Sequence, residues 1–391
     1  ALSITLLIVK ESIEDLPLWR GRQSSSLEQR LRSVKQWFEC CQQNHEQCRI
    51  LEASGNRSCP TRLIDVSQQV MRLVCLPANS KASYAALSHC WGGGLPMKST
   101  KRTLTDHMVA IHMTAMPKTY CDAITTTRKL GIQYLWIDSL CIIQDDTKDW
   151  EQEAARMASI YEGAQVTIAA AWGKNGESGC FREYHPSMVV EVQEQNDSGE
   201  YATGQIPKLY LRPYPNSERY LRDAPLNSRA WTLQEIILSR RTIIFAQNQM
   251  YWHCTSLYES EDGLESVPNV AETALPLPPL GSAIRTVMPS YELYDSWQTM
   301  IQGYSARSLT RPGDKFAALA GVTQMFRGVV KDEPLAGLWK NDLYRGLLWQ
   351  VPPSMHGILD LEAVRALNIP SWSWAKNLKI RSAYWWFAER T

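Results

Sequence analysis

The 391-residue chain has no apolar run approaching the length of a membrane span, no excess of charge of either sign and no CxxC pair of the kind zinc ribbons use. Each absence removes a class of protein. Without about 20 consecutive apolar residues, no bilayer-crossing helix is expected. With 41 basic and 40 acidic residues, the net charge of +1 gives no electrostatic footprint for nucleic acid or for a strongly anionic partner. The start, ALSITLLIVKESIED, has too short an apolar segment and no basic leader for a signal peptide, so the expected location is cytoplasmic. Ten scattered cysteines fit reduced thiols better than a disulfide framework. There is also no phosphate-binding loop or sensor repeat of the sort many signalling proteins carry.

What is present is organised around residues 134–171. The run 134–143 is apolar and β-branched apart from Asp138, Ser139 and Cys141, as a strand covered on both faces would be. Asp145, Asp146 and Asp149 supply capping residues for an amphipathic helix over 149–163, and residues 165–171 return to strand character, giving a βαβ unit. On that helix Glu153 lies mid-way and is expected to face solvent. Asp138 is the conspicuous residue: a carboxylate at the end of a buried strand is costly unless bonded, or placed at the sheet's carboxyl edge where ligands sit.

Upstream, residues 26–48 read as one helix ending in Cys41, His45 and Cys48, at i, i+4 and i+7, with Cys59 as a fourth soft ligand. That spacing would suit zinc, yet without a CxxC pair the sequence weighs towards no metal and a helix end with two buried thiols. Residues 62–75 suggest a hairpin. The strand 84–91 runs directly into Gly92, Gly93 and Gly94, which would let backbone amides approach a ligand. Ser88, His89 and Cys90 are nucleophile and base types, but strand neighbours point to opposite faces and cannot form a dyad among themselves. A helix over 119–130 then implies a parallel crossover.

Downstream, residues 173–217 look like an insertion with a hairpin around 209–211, and 227–241 like a helix whose last turn carries Arg240 and Arg241. A hairpin follows over 242–254. Residues 266–284 form a proline-rich linker, and helices are expected over 291–304, 314–326 and 335–349, closed by 370–375. The tryptophans at 372, 374, 385 and 386 look like core or lid material.

Three of these stretches together resemble the signature blocks of the fungal heterokaryon-incompatibility (HET) domain: YAALSHCWGG at 84–93, YLWIDSLCIIQDD at 134–146 and RAWTLQE at 229–235. Segments such as YSARSLTRPGDKFAALAGV and PSWSWA extend the resemblance, with His89 and Ile143 as departures from the usual Tyr and Asn. The chain then divides into an N-terminal extension (1–80), a HET domain (81–265), the linker, and an α-rich subdomain (285–391). HET domains are distantly similar to Toll/interleukin-receptor (TIR) domains, so the resemblance implies an α/β fold, a mainly parallel TIR/flavodoxin-like sheet with helices on both faces. It implies an effector of non-self recognition and cell death, with an incompatibility partner protein or self-association. No cofactor is required, and NAD(P) enters as a substrate to be cleaved.

On that reading Glu235, Asp138 and Ser88 are the catalytic candidates. Trp91, Gly92, Gly93, Cys141, Gln144, Arg229, Trp231 and Gln234 would shape the ligand site, and Trp231 and Glu235 form a W-x-x-x-E pair before a strand, like the catalytic-glutamate helix of TIR enzymes. A glycohydrolase needs mainly a carboxylate to stabilise a cationic ribose. Three alternatives stay open. Arg229 and Glu235 could pair with Asp138 as an internal brace, the domain could be a non-catalytic oligomerising module, or the pocket could serve a metabolic enzyme acting on a small molecule as a cyclase, isomerase or hydrolase.

Overall fold

The computed structural model describes residues 6–10, 26–54, 59–77, 80–93, 97–182, 188–191, 208–213, 221–263, 266–268, 290–350, 369–376 and 384–385. Gly94 and most of the proline-rich stretch fall outside the described residues.

After strand β1 (Leu6–Lys10), helix α1 (Leu27–Asn44) begins at a capping box. Ser26 Oγ accepts from Gln29 N at 3.3 Å and Gln29 Oε1 accepts from Ser26 N at 2.8 Å, satisfying two backbone donors at the helix start. Its buried face carries Leu31, Val34, Phe38 and Cys41. The single helix expected through Cys48 breaks at His45, which is extended (φ −96°, ψ 96°), and α2 (Glu46–Ser54) resumes beyond it. The hairpin β2 (Arg62–Asp65) and β3 (Arg72–Cys75) is as expected.

Strand β4 (Tyr84–Ser88) is five consecutive buried residues, the pattern of a central strand. Helices α3 (Leu104–Val109) and α4 (Lys118–Lys129) lead to β5 (Tyr134–Trp136). The long strand suggested by 134–143 is cut to three residues, because Asp138 opens a single helical turn, α5 (Asp138–Cys141). Its carboxylate accepts from Ser139 N at 2.7 Å, a local bond that favours turn over extension. Asp146 caps α6 (Thr147–Gly163), which ends before β6 (Val166–Ala169). Glu153 of α6 does not face solvent. It is 1% exposed, accepts from Thr61 Oγ1 at 2.5 Å and lies 3.5 Å from Arg156.

Within the insertion, β7 (Met188–Glu191) pairs with β8 (Lys208–Pro213), and β8 pairs on its other side with β1. The helix expected over 227–241 shrinks to a 3-10 turn at Pro225–Ser228 and α7 (Thr232–Ile237). Arg241 does not close a helix; it is fully buried and opens β9 (Arg241–Phe245). Strands β10 (Met250–Cys254), β11 (Leu257–Ser260) and β12 (Ser266–Pro268) continue antiparallel. Helices α8 (Ser290–Ser305) and α9 (Ala320–Val330) follow. The third C-terminal helix is replaced by a bridge of Pro334–Leu335 to Leu338–Trp339 and one turn at Leu343–Gly346, since Ala336 and Gly337 take positive φ of 45° and 91°.

Among the described residues the main sheet has nine strands, in the order β12-β11-β10-β9-β6-β4-β5-β2-β3. Its four central strands, β9, β6, β4 and β5, are parallel, and both flanks are antiparallel, so the sheet is mixed rather than mainly parallel. Taken in chain order, the parallel strands lie as second-first-third-fourth. That order puts a topological switch between β4 and β6, where loops after the carboxyl ends diverge and a crevice can form. Alternation along β4 directs Tyr84 and Ser88 to one face and His89 to the other. Tyr84 OH donates to Ile160 O of α6 at 2.6 Å, whereas the His89 ring meets the Tyr120 ring of α4 edge-on at 5.2 Å. Helices therefore cover both faces.

A second core joins Ala230, Leu233, Ile237 and Leu238 around α7 to Trp297, Tyr304, Phe326, Trp339 and Trp374 of the C-terminal region. Trp374 is thus core, while Trp372 is 41% exposed. Among the described residues no helix is long and apolar enough to cross a membrane.

Candidate functional site

Three distant sequence blocks meet at the carboxyl edge of the parallel strands. Ser88 is the last residue of β4, Asp138 follows β5, and α7 lays Glu235 against the sheet. Ser88 Oγ donates to Glu235 Oε2 at 2.5 Å. Asp138 accepts on one oxygen from Ser139 N and on the other from Trp91 Nε1 at 2.9 Å. Arg229, in the loop before α7, links the blocks: its guanidinium lies 5.3 Å from the Trp91 ring centre and Nη1 donates to His89 O. Arg229 makes no ion pair within 4.0 Å to Asp138 or Glu235; in place of the charged brace that the sequence left open, an indirect chain runs through Trp91 and the backbone.

Both carboxyl groups are removed from water, Glu235 at 2% and Asp138 at 7% exposed. Burial pushes the Glu235 carboxyl above its usual range, opposed by the Arg229 charge and by the Ser88 and Tyr161 hydroxyls. Burial also pushes Asp138 up to about 7, against Arg229 and with help from the Glu235 charge. His89, fully buried, is pushed down to about 3 by burial and by Arg229, and neither ring nitrogen has a hydrogen-bond partner among the described residues.

The glycine run does part of what its composition suggests. Gly92 has φ +75°, and a Cβ there would stand 2.6 Å from Asn175 Cβ, so the loop after β4 packs directly on the loop after β6. Gly93 is open. Gly92→Ala is expected to cost about 1–3 kcal/mol, read as a lowered denaturation midpoint; Gly93→Ala should cost less.

Other expected site residues lie elsewhere. Trp231 does not stack beside Glu235: it caps α7, meets the Trp150 ring edge-on at 6.5 Å and stands beside Asp314. Gln234 points towards α9, where a Cβ on Gly321 would be 3.1 Å from its Oε1. Cys141 is fully buried, and its thiol is pushed up to about 12 by burial. Gln144 clips the turn after α5, its Nε2 donating to Asp138 O at 3.1 Å and Ile142 O at 3.0 Å.

Three contributors escaped the sequence reading. Tyr161 of α6 donates to Leu87 O at 3.1 Å with its hydroxyl near Glu235. Tyr120 shares a 2.7 Å hydrogen bond with Ser139 beside Asp138. Arg307, from the C-terminal region, donates to Thr232 Oγ1 at 2.9 Å and Arg229 O at 3.3 Å. The only signal for Arg307 was its place in the YSARSLTRPGDKF segment. No group of three or more metal-donor side chains converges on this site among the described residues.

These shifts carry a pH signature. A carboxyl raised from 3.8 to about 7 holds its proton in the folded chain over a window where the unfolded chain has lost it. Its stabilising contribution is complete below the unfolded value and is lost as pH rises through the folded one. His89 and His253, lowered to about 3 and about 4, act in the opposite sense below their ordinary value. The difference between the parent and Asp138→Asn isolates the carboxyl. In urea unfolding, the variant should gain on the parent by on the order of 2–4 kcal/mol between pH 4 and 7. A constant difference would contradict the assignment.

A chain with two buried carboxyl groups at a switch point has a limited set of uses: proton transfer at Asp138, stabilisation of a developing cation at Glu235, or a buried polar lock. No curated protein and no solved structure matches the chain. Residues 84–235, which begin at β4 and end on Glu235, match the family model described as Heterokaryon incompatibility protein (HET), so the chain carries a HET domain over that span.

Proposed function

We propose that this protein is an intracellular effector of fungal heterokaryon incompatibility, that its HET domain is a TIR-like, doubly wound unit, and that it acts by cleaving NAD(P). The observation that carries the reading is the Ser88–Glu235 hydrogen bond at the sheet's carboxyl edge, with Asp138 and Arg229 beside it. The second-first-third-fourth strand order is that of flavodoxin-like sheets, which bind ligands at this switch. In the proposed reaction the bond between ribose C1′ and the nicotinamide nitrogen breaks. Nicotinamide departs with the bonding pair, and water adds to C1′ and releases a proton. Glu235 would face the cationic ribose, Asp138 would accept the proton of water, and Arg229 would hold a phosphate.

A second reading, a non-catalytic module working by association, is favoured by the enclosure of Glu235. The proposed role is tested by induced expression in a filamentous host, alone and with Glu235→Gln. Growth arrest by the parent together with a falling NAD(P) pool supports it. Arrest with an unchanged pool leaves the associative reading, and no arrest contradicts the effector role.

A further inference from the structure

At the opposite edge of the sheet, where the parallel strands begin, four soft donors converge. Cys41 Sγ, His45, Cys48 Sγ and Cys254 Sγ all lie within 4.8 Å of one another. Cys41, Cys48 and Cys254 are buried, His45 is half-buried, and His45 Nδ1 is 3.3 Å from Cys254 Sγ. From the C-terminal end of α1, across the break at His45, to the first turn of α2, the chain presents three donors to one point. The fourth arrives from more than 200 residues away, because alternation along β10 places Cys254 with Met250 and Trp252 on the face that α1 covers. Cys59, which the sequence offered as a fourth donor, is not in the group.

We propose that Cys41, His45, Cys48 and Cys254 form a structural zinc site that fastens the N-terminal helices to the β9–β10 hairpin. The donor set decides the metal. Three thiolates and an imidazole suit a closed tetrahedral zinc centre, and bond lengths of about 2.0–2.3 Å place such donors about 3.5–3.8 Å apart, a small contraction from the observed set. Zinc with three thiolates carries one net negative charge. Arg241, the residue paired across the hairpin from Cys254, supplies the opposite charge: it is fully buried and its Nε donates to Cys41 Sγ at 3.2 Å. Ser256 Oγ stands 3.7 Å from Cys48 Sγ as a further outer contact. A disulfide between two of these cysteines would leave the third thiol and the imidazole without a purpose in common; a metal uses all four.

The test is metal analysis of the full chain, purified in reducing buffer without chelator and then equilibrated with zinc and dialysed. About one zinc per chain is expected in the parent and in Cys59→Ser, and well under half of that in Cys254→Ser and His45→Ala. Because a variant could lose metal by misfolding, cobalt is also loaded into the parent. Thiolate-to-cobalt charge-transfer and intense tetrahedral ligand-field bands are expected. A parent that binds neither metal would overturn the site, as would a thiol count showing a disulfide within the group, or zinc retained in full by both ligand variants.

Discussion

Replacing Arg62 with methionine is expected to lower the unfolding free energy by about 3–5 kcal/mol. Arg62 is buried in β2. Its Nη2 donates to both oxygens of Asp149, at 2.7 and 2.6 Å, and its Nε donates to Cys141 O at 2.6 Å. Asp149 Oδ2 also accepts from Ile143 N at 2.8 Å. The pair thereby ties the first hairpin, the turn carrying Asp138 and the start of α6 into one unit. Methionine keeps the length and apolar contacts of the side chain, but leaves a largely enclosed carboxylate with no cation and a carbonyl with no donor. Adding Asp149→Asn should restore part of the loss, because the stranded charge disappears. Urea unfolding of the two single variants and the double variant reads both effects. A loss under about 1 kcal/mol for Arg62→Met would show the pair to be ornamental.

That pair also marks where sequence reading runs out. Asp149 was legible as a capping residue, since an aspartate near a helix start has a local reason to be there. The N-cap is Asp146 instead, and Asp149 turns to a partner 87 positions away that no local pattern names. Cys254 in the four-donor group and Arg307 beside α7 escaped for the same reason. By contrast, the parallel centre of the sheet was legible in the short buried runs at β4, β5, β6 and β9 and in the helices between them. The antiparallel flanks made the whole sheet mixed, because two hairpins extend it on either side.

The W-x-x-x-E spacing shows a subtler limit. The helix expected from residue 227 starts late: Arg229 is extended (φ −91°, ψ 134°), whereas Trp231 is already helical (φ −60°, ψ −33°) and its carbonyl accepts from Glu235 N at 3.4 Å. Arg229 therefore follows loop geometry and reaches Trp91, while Trp231, one helical turn before Glu235, turns its ring to Trp150. Glu235, inside the helix, falls where its spacing and the sheet direct it. Ser88 and Glu235, assigned to one site from different blocks, do meet, whereas Cys141 and Gln144 were drawn in by proximity in sequence to Asp138 and serve the turn itself.

Glu235→Gln should reduce NAD(P) cleavage by about two to three orders of magnitude, because the amide keeps the volume but not the charge that would face a cationic ribose. The stability cost should stay near about 1 kcal/mol. Ser88 Oγ can still donate to the remaining carbonyl oxygen, and the contacts of Arg229, made to His89 O and the Trp91 ring, do not depend on Glu235. Charge loss and scaffold loss are thus separable at this position, as they are not at Arg62. The measurement is nicotinamide release from NAD and from NADP by the purified full chain and by Glu235→Gln, with urea unfolding of both. Release by the parent is expected, with the variant slower by about a hundredfold or more at nearly unchanged stability. Release by the variant at the parental rate, or none by a folded parent, would contradict the proposed reaction.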